Sequence, residues 1–251
     1  MEENKDYLIK RYTKDIKSAD IWSVFKILAD FTKGFDELGN LGPSVTVFGS
    51  ARTDKDDFYY KKSLELSEKL AKKGFNIITG GGPGIMEAAN QGAKKVDYVE
   101  SIGLNIDLPS EQVANPYTTK ELSFDYFFSR KVMLVKYSMA YVIFPGGFGT
   151  LDELFEALTL VQTRKVTGVK IFVVGTDFYE PLLEFIRTRL VPNGMIDKDD
   201  IELIRVTDDI DCIVKEIVES LRNQIKFLKE ANLDHTTYYK SLLTFFEDKL
   251  K

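Results

Sequence analysis

The chain has 251 residues, 44% hydrophobic and 29% charged, and carries a net charge of -5. That composition is ordinary for a soluble globular protein, and the intermixed charges form no basic stripe that would track a nucleic-acid backbone. One cysteine, Cys212, excludes an intrachain disulfide and suits a reducing compartment; with one histidine, His235, any Ser-His-Asp triad, multi-ligand zinc site or zinc deaminase centre would rest on a residue in a polar stretch near the C-terminus.

The first thirty residues hold several charges and no continuous apolar run, so no secretory signal is expected. The longest charge-free stretch, Tyr137 to Leu151, is broken by Pro145 and three glycines, which excludes a spanning helix. The reading is a cytoplasmic protein without a membrane partner.

Residues 1 to 40 read as helical, with Ile21, Trp22, Phe25, Leu28, Phe31, Phe35 and Leu38 on one face, Ser18 or Asp20 as cap, and Gly39 with Gly42-Pro43 as stop. Such a face packs on the main domain or on a second subunit. It lacks the Lys- and Arg-rich polar side of a membrane-surface helix. Val45 to Phe48 reads as a buried strand running into Gly49-Ser50-Ala51-Arg52. A helix over Phe58 to Lys73 offers Leu64, Leu66 and Leu70 to the core, and Gly74 ends it. Phe75 to Ile78 is the next strand, entering Thr79-Gly80-Gly81-Gly82-Pro83-Gly84 and a helix from Ile85 to Lys95.

Strands follow at Ser101 to Leu108 and Glu121 to Phe124, then a helix at Phe127 to Met139 that carries Arg130 and Lys131. Tyr141 to Phe144 is a buried strand stopped by Pro145. Gly146, Gly147 and Gly149 make a turn, and Thr150 is expected to open a helix to Arg164. Val169 to Val174 is a strand, Asp177 caps a helix through Leu190 with Pro181 in its first turn, Ile201 to Val206 is the last strand, and Asp208 to Lys229 is a helix before a polar, aromatic tail. Strands that are continuously apolar and alternate with helices predict an α/β fold: a Rossmann-like open, mostly parallel sheet of about seven strands covered on both faces. The expected organisation is a helical extension at 1–42, the sheet domain at 43–220 and a C-terminal helical or polar tail at 221–251.

In such a sheet, ligands bind beyond the carboxyl ends of the strands. Three strands end there in glycine or small-polar turns: Gly49-Ser50, Gly80 to Gly84, and Gly146 to Thr150. No G-x-x-x-x-G-K-[ST] string occurs, and the dinucleotide pattern G-x-G-x-x-G fails because Glu87 and Asp152 stand where its third glycine belongs. A single phosphate on the amides of Gly147 to Thr150 fits better. Thr150-Leu151-Asp152-Glu153 also satisfies the capping box T-x-x-E, so spacing alone leaves Glu153 open between capping and chemistry.

P-G-G-F-G-T-L-D-E at 145–153, with Ser129-Arg130-Lys131 upstream, resembles the LONELY GUY (LOG) family of cytokinin riboside 5′-monophosphate phosphoribohydrolases, whose signature is P-G-G-x-G-T-x-x-E with an upstream R-K pair. G-G-G-P-G-I-M-E-A-A-N at 80–90 is similar to its bacterial members, and the resemblance covers residues 43 to 220. It implies hydrolysis of the N-glycosidic bond of a nucleoside 5′-monophosphate, of the AMP or N6-modified AMP type, without metal or cofactor, in a homodimer. Arg130 and Glu153 match the catalytic pair. Gly146, Gly147, Gly149 and Thr150 match the phosphate loop, and Ser50 the small polar residue after the first strand. Lys131 and Gly82 are counted with the substrate-binding residues.

Glu87 either contacts ribose hydroxyls or favours the start of its helix. Tyr126, with Phe127 and Phe128, either stacks on a base or packs in the core. Members of this group are often labelled lysine decarboxylases. A pyridoxal enzyme of that kind is expected to present a lysine beside a histidine, whereas His235 is followed by Thr236. A nucleotide-binding or sensing module of the same fold is the alternative to the enzyme.

Overall fold

The computed structural model describes residues 16–107 and 114–250. The N-terminal helix is α1, Ile16–Leu38. The segment before it, and Leu108 of the third expected strand, lie outside the described residues. Ser18 and Asp20 fall within α1, so neither is the cap that the spacing suggested. The apolar stripe packs on the main domain only in part. Phe31 and Leu38 join the core, but Ile21, Trp22, Phe25, Leu28 and Phe35 stay exposed.

Helices and strands then alternate: β1 Ser44–Phe48, α2 Phe58–Lys72, β2 Asn76–Thr79, α3 Ile85–Ala93, β3 Ser101–Ile106, β4 Lys120–Phe124, α4 Phe127–Lys136, β5 Ala140–Ile143, α5 Phe148–Gln162, β6 Lys170–Val173, α6 Thr176–Phe185, β7 Ile204–Val206, α7 Ile210–Glu230 and α8 Thr237–Lys249. Local chemistry sets several of these limits. The Asp57 carboxylate accepts from Tyr59 N at 2.6 Å to start α2, and Gly74, at φ +90°, leaves it. Gly175, not Asp177, is the N-cap of α6, and Pro181 sits in its second turn. A short 3-10 turn, Lys198–Leu203, takes the front half of the expected last strand.

The described strands form one parallel sheet in the order β4-β3-β2-β1-β5-β6-β7. The chain steps outward from β1 to β4, then returns to place β5 against the other side of β1. That reversal between β1 and β5 is the switch point at which open α/β sheets bind ligands. The register aligns Phe48 with Ile143, so the two strands end level, and Ser50 N donates to Pro145 O at 3.0 Å.

Both faces of the sheet are covered. Val45, Val47, Val142 and Phe144 face a cluster completed by α2, α3, α7 and α8, while Phe48, Tyr141 and Ile143 face one completed by α1, α4, α5 and α6. This is why the central strands β1, β2 and β5 are buried along their whole length, whereas the edge strand β4 alternates. Each fully buried aliphatic or aromatic side chain contributes about 1.5–3 kcal/mol. Among the polar atoms drawn into these layers, Tyr141 OH donates to Val135 O at 2.9 Å and Thr46 Oγ1 to Leu134 O at 2.9 Å. Helix α7 runs continuously through residue 220 with Leu221 buried, and α8 seats Leu242 and Phe245 on the same cluster.

Candidate active site

A cleft of about 660 Å³ opens at the carboxyl ends of β1, β2, β3 and β5, at the switch point. Its floor is the turn after β5. Pro145 ends the strand, and Gly146 lies so close to the Thr150 side chain that a Cβ there would collide with it. Gly147 is the N-cap of α5 and offers no capping oxygen. Leu151 N closes on Gly147 O at 3.0 Å, while the amides of Phe148, Gly149 and Thr150, orphaned by helix geometry, have no protein acceptor among the described residues. A Cβ built on Gly147 or Gly149 meets nothing within 4 Å. The positive end of α5 therefore opens directly into the cleft.

The helix begins at Phe148, two residues earlier than expected, which makes Thr150 its third residue and removes the capping box. Glu153 consequently lies in the second turn. It is 8% exposed, lines the cleft, and its Oε2 has no hydrogen-bond partner. Burial raises its pKa to about 7; Lys131 and Arg130 pull it back down, while Glu156 and Asp152 push it further up.

Arg130 lines the same cleft from α4. Its Nε donates to Leu104 O at 2.6 Å and an Nη to Gly80 O at 3.0 Å, so the ends of β3 and β2 hold the guanidinium. Gly80 leaves the room, because a Cβ there would strike the guanidinium. Burial lowers the Arg130 pKa and the Glu153 charge opposes that shift, although the two side chains do not close to an ion pair. Ser50 lines the opposite wall; its Oγ accepts from Arg52 N at 3.0 Å and its carbonyl from Ile85 N at 3.0 Å.

Four residues singled out from the sequence lie elsewhere. Lys131 pairs with Asp152 at 2.9 Å and with Glu156, fastening α4 to α5 rather than lining the cleft. The Gly82 carbonyl accepts from Asn115 Nδ2 at 3.1 Å, away from the cleft; Gly80 takes its place in the lining. Glu87 pairs with Lys55 at 2.6 Å. Tyr126 lies against Phe128, their ring centres 5.2 Å apart, and Phe127 is the aromatic that reaches the cleft. Arg52 and Phe148 also line it, and Phe148 is 93% exposed. Their signal in the sequence was position alone: each sits inside one of the three turns.

Residues 86–217 match the family described as "Possible lysine decarboxylase", more than half of the chain. The chain belongs to this, the LOG family. The cytokinin riboside 5′-monophosphate phosphoribohydrolase LOG of rice (Oryza sativa subsp. japonica) is 31% identical over 60% of this chain and 62% of its own. LOG3 of Arabidopsis thaliana, with the same activity in its name, is 25% identical over 70% of this chain and 81% of its own. The chain thus spans less than two thirds of the rice relative's length. Among solved structures, the molybdenum cofactor carrier protein of Chlamydomonas reinhardtii superposes with a TM-score of 0.52 at 21% identity, covering 72% of this chain and 99% of that one, a likeness of fold. The decarboxylase description implies pyridoxal phosphate, which is held through a lysine amine. Among the described residues, the cleft of this LOG-family chain is lined by Arg52 and Arg130 and by no lysine, so its donor set does not fit that group.

Proposed function

We propose that the chain hydrolyses the N-glycosidic bond of a nucleoside 5′-monophosphate of the AMP or N6-modified AMP type, yielding free base and ribose 5-phosphate. The observation that carries this reading is Glu153: a buried carboxyl with a bare oxygen, beside an uncapped helix N-terminus and a fixed guanidinium. On this reading the 5′-phosphate sits on the amides of Phe148 to Thr150, with the Thr150 hydroxyl and open space at Gly147 and Gly149. Anchoring the sugar at one end positions C1′ rather than leaving it to search. Arg130 holds phosphate or ribose oxygens.

As the glycosidic bond breaks, its electron pair leaves with the base nitrogen, which takes up a proton from solvent water. Positive charge grows on the ribose ring, and ionised Glu153 stabilises it. Glu153 also orients a water whose oxygen bonds to C1′ and accepts the proton that water releases. Phe127 and Phe148 are placed to cover the base. Lysine decarboxylation is not expected. We assign the protein to the cytoplasm and to a homodimer, the exposed apolar face of α1 offering surface to a second copy.

The test is release of free base from AMP and a panel of monophosphates, followed by chromatography. Base release lost in Glu153→Gln supports the reading. Full activity in that variant overturns the role of Glu153. Tight binding of AMP with no turnover favours a nucleotide-sensing module instead.

A further inference from the structure

Helix α4 carries Arg130 in its first turns, yet its N-cap position is Tyr126, which supplies no capping oxygen. The donors at this end are met from another helix. Asp30, on α1 and only 3% exposed, accepts from Asp125 N at 3.0 Å, Tyr126 N at 3.2 Å and Ser129 Oγ at 2.6 Å. Lys33 lies 3.9 Å from the same carboxylate and donates to the Ser123 carbonyl at the end of β4. One turn further along α1, Gly34 packs so tightly on Met133 of α4 that a Cβ would collide with it, and Leu38 is buried beyond. Asp30, Gly34 and Leu38 thus form one stripe, pressed on the helix that bears the guanidinium. This stripe precedes the segment that matches the family, residues 86–217.

We propose that Asp30 is a positioning residue for Arg130. A carboxylate with three donors at a helix N-terminus forms short, charge-assisted hydrogen bonds and is favoured by the helix dipole. Ser129, one of those donors, directly precedes Arg130. The clamp fixes the first turn of α4, and the carbonyls of Leu104 and Gly80 then hold a guanidinium that arrives in register. Without the clamp, that turn loses its side-chain tie to α1 and the guanidinium drifts from the two carbonyls. A misplacement of about 1 Å is enough to lower turnover about 100-fold. The extension ahead of the family segment acquires a function of its own: it braces the site. This inference rests on the reading in which Arg130 acts on a nucleotide.

The experiment compares Asp30→Ala, Asp30→Asn and Ser129→Ala in the full chain, assayed for AMP hydrolysis well below each melting temperature, alone and combined with Arg130→Lys. The expected result is a fall in kcat/KM of about 10- to 100-fold for Asp30→Ala, with smaller losses for Asp30→Asn, whose amide oxygen still accepts, and for Ser129→Ala. In the Arg130→Lys background the Asp30 substitution adds no more than about twofold, because the group it positions is already gone. Equal losses in both backgrounds, or wild-type kcat/KM in Asp30→Asn and Ser129→Ala, overturn the proposal while the hydrolase reading stands. Absence of turnover in the wild-type chain removes both. If Asp30→Ala does not fold, Asp30→Asn and Ser129→Ala carry the same comparison.

Discussion

Two helix N-termini meet near the cleft, and neither caps itself. The N-cap of α4 is Tyr126 and that of α5 is Gly147, and neither side chain caps its helix. At α4 the need is met in part: Asp30, a buried carboxylate, takes the Tyr126 amide along with Asp125 N and Ser129 Oγ. At α5 it is left open to the cleft, and the nearby buried carboxyl, Glu153, keeps one oxygen bare. The first turn of α4 is tied down by a side chain from another helix, and that of α5 is not. A closed terminus fixes geometry, whereas an open one keeps its donors for a ligand. A buried polar atom left unpaired costs about 1–3 kcal/mol, and such atoms in native proteins call for an explanation. On the proposed reading, a substrate or its attacking water supplies one here.

The largest expected effect comes from removing the bare carboxyl. Glu153→Gln is expected to lower AMP hydrolysis by about 10²–10⁴-fold, the usual scale for a lost general acid–base group. The wild-type rate should rise with pH through about 7, where Glu153 ionises, and the remaining activity of the variant should lack that limb. Stability runs the other way. The folded state holds the Glu153 proton more tightly than the unfolded chain, whose value is near 4.5, so the wild type loses stability as pH rises from that value towards about 7. Glu153→Gln removes this dependence. Urea unfolding at about pH 5 and about pH 8 should show the variant gaining on the wild type at the higher pH, by up to about 3 kcal/mol. A variant that is inactive but no more stable at high pH would break the contrast with Asp30.

Next in size are the glycines of the open terminus. Gly149→Ala places a methyl in open space, so its fold should be unharmed, with KM for AMP up about tenfold. Gly146→Ala drives a methyl into Thr150 and should lower stability by about 1–3 kcal/mol. Paired melting curves and Michaelis plots separate the two: one glycine is empty for a ligand, the other for the chain.

Much of the fold was legible because its causes are local. Continuous apolar runs report a sheet buried on both faces, and three glycine turns after strands must share one edge. The order of the strands was not legible, because it depends on which neighbour β5 chooses, and no local signal encodes that choice. At the site, Thr150-Leu151-Asp152-Glu153 read equally as a capping box. The helix starts at Phe148 instead, and the three glycines ahead of Thr150 carry no side chain that could signal that start. Asp30 was invisible for another reason. A carboxylate in the middle of a helix looks like a solvated face, and its partners Asp125 to Ser129 are remote in sequence. Lys131 looked like a substrate cation because its two acidic partners, Asp152 and Glu156, lie on a different helix.

The smallest expected effect belongs to Glu87, which from the sequence resembled a second Glu153: an acid just after a glycine turn at the start of a helix. It is 9% exposed, and its partner is Lys55, whose side chain is 66% exposed, at 2.6 Å. It stands outside the cleft lining. Glu87 therefore falls between the other two acids: it is paired with an exposed lysine and so is not bare as Glu153 is. An ion pair with one exposed partner is worth at most about 1 kcal/mol, and an acid in the first helical turn adds a few tenths through the dipole. Glu87→Gln should then lower stability by about 1 kcal/mol in urea titration and leave AMP turnover within about twofold of wild type. A loss of turnover on the scale of Glu153→Gln would mean that Lys55 releases Glu87 to the substrate. The cleft would then hold two working carboxyls, and the contrast between a satisfied and a bare acid would no longer identify the one that does the chemistry.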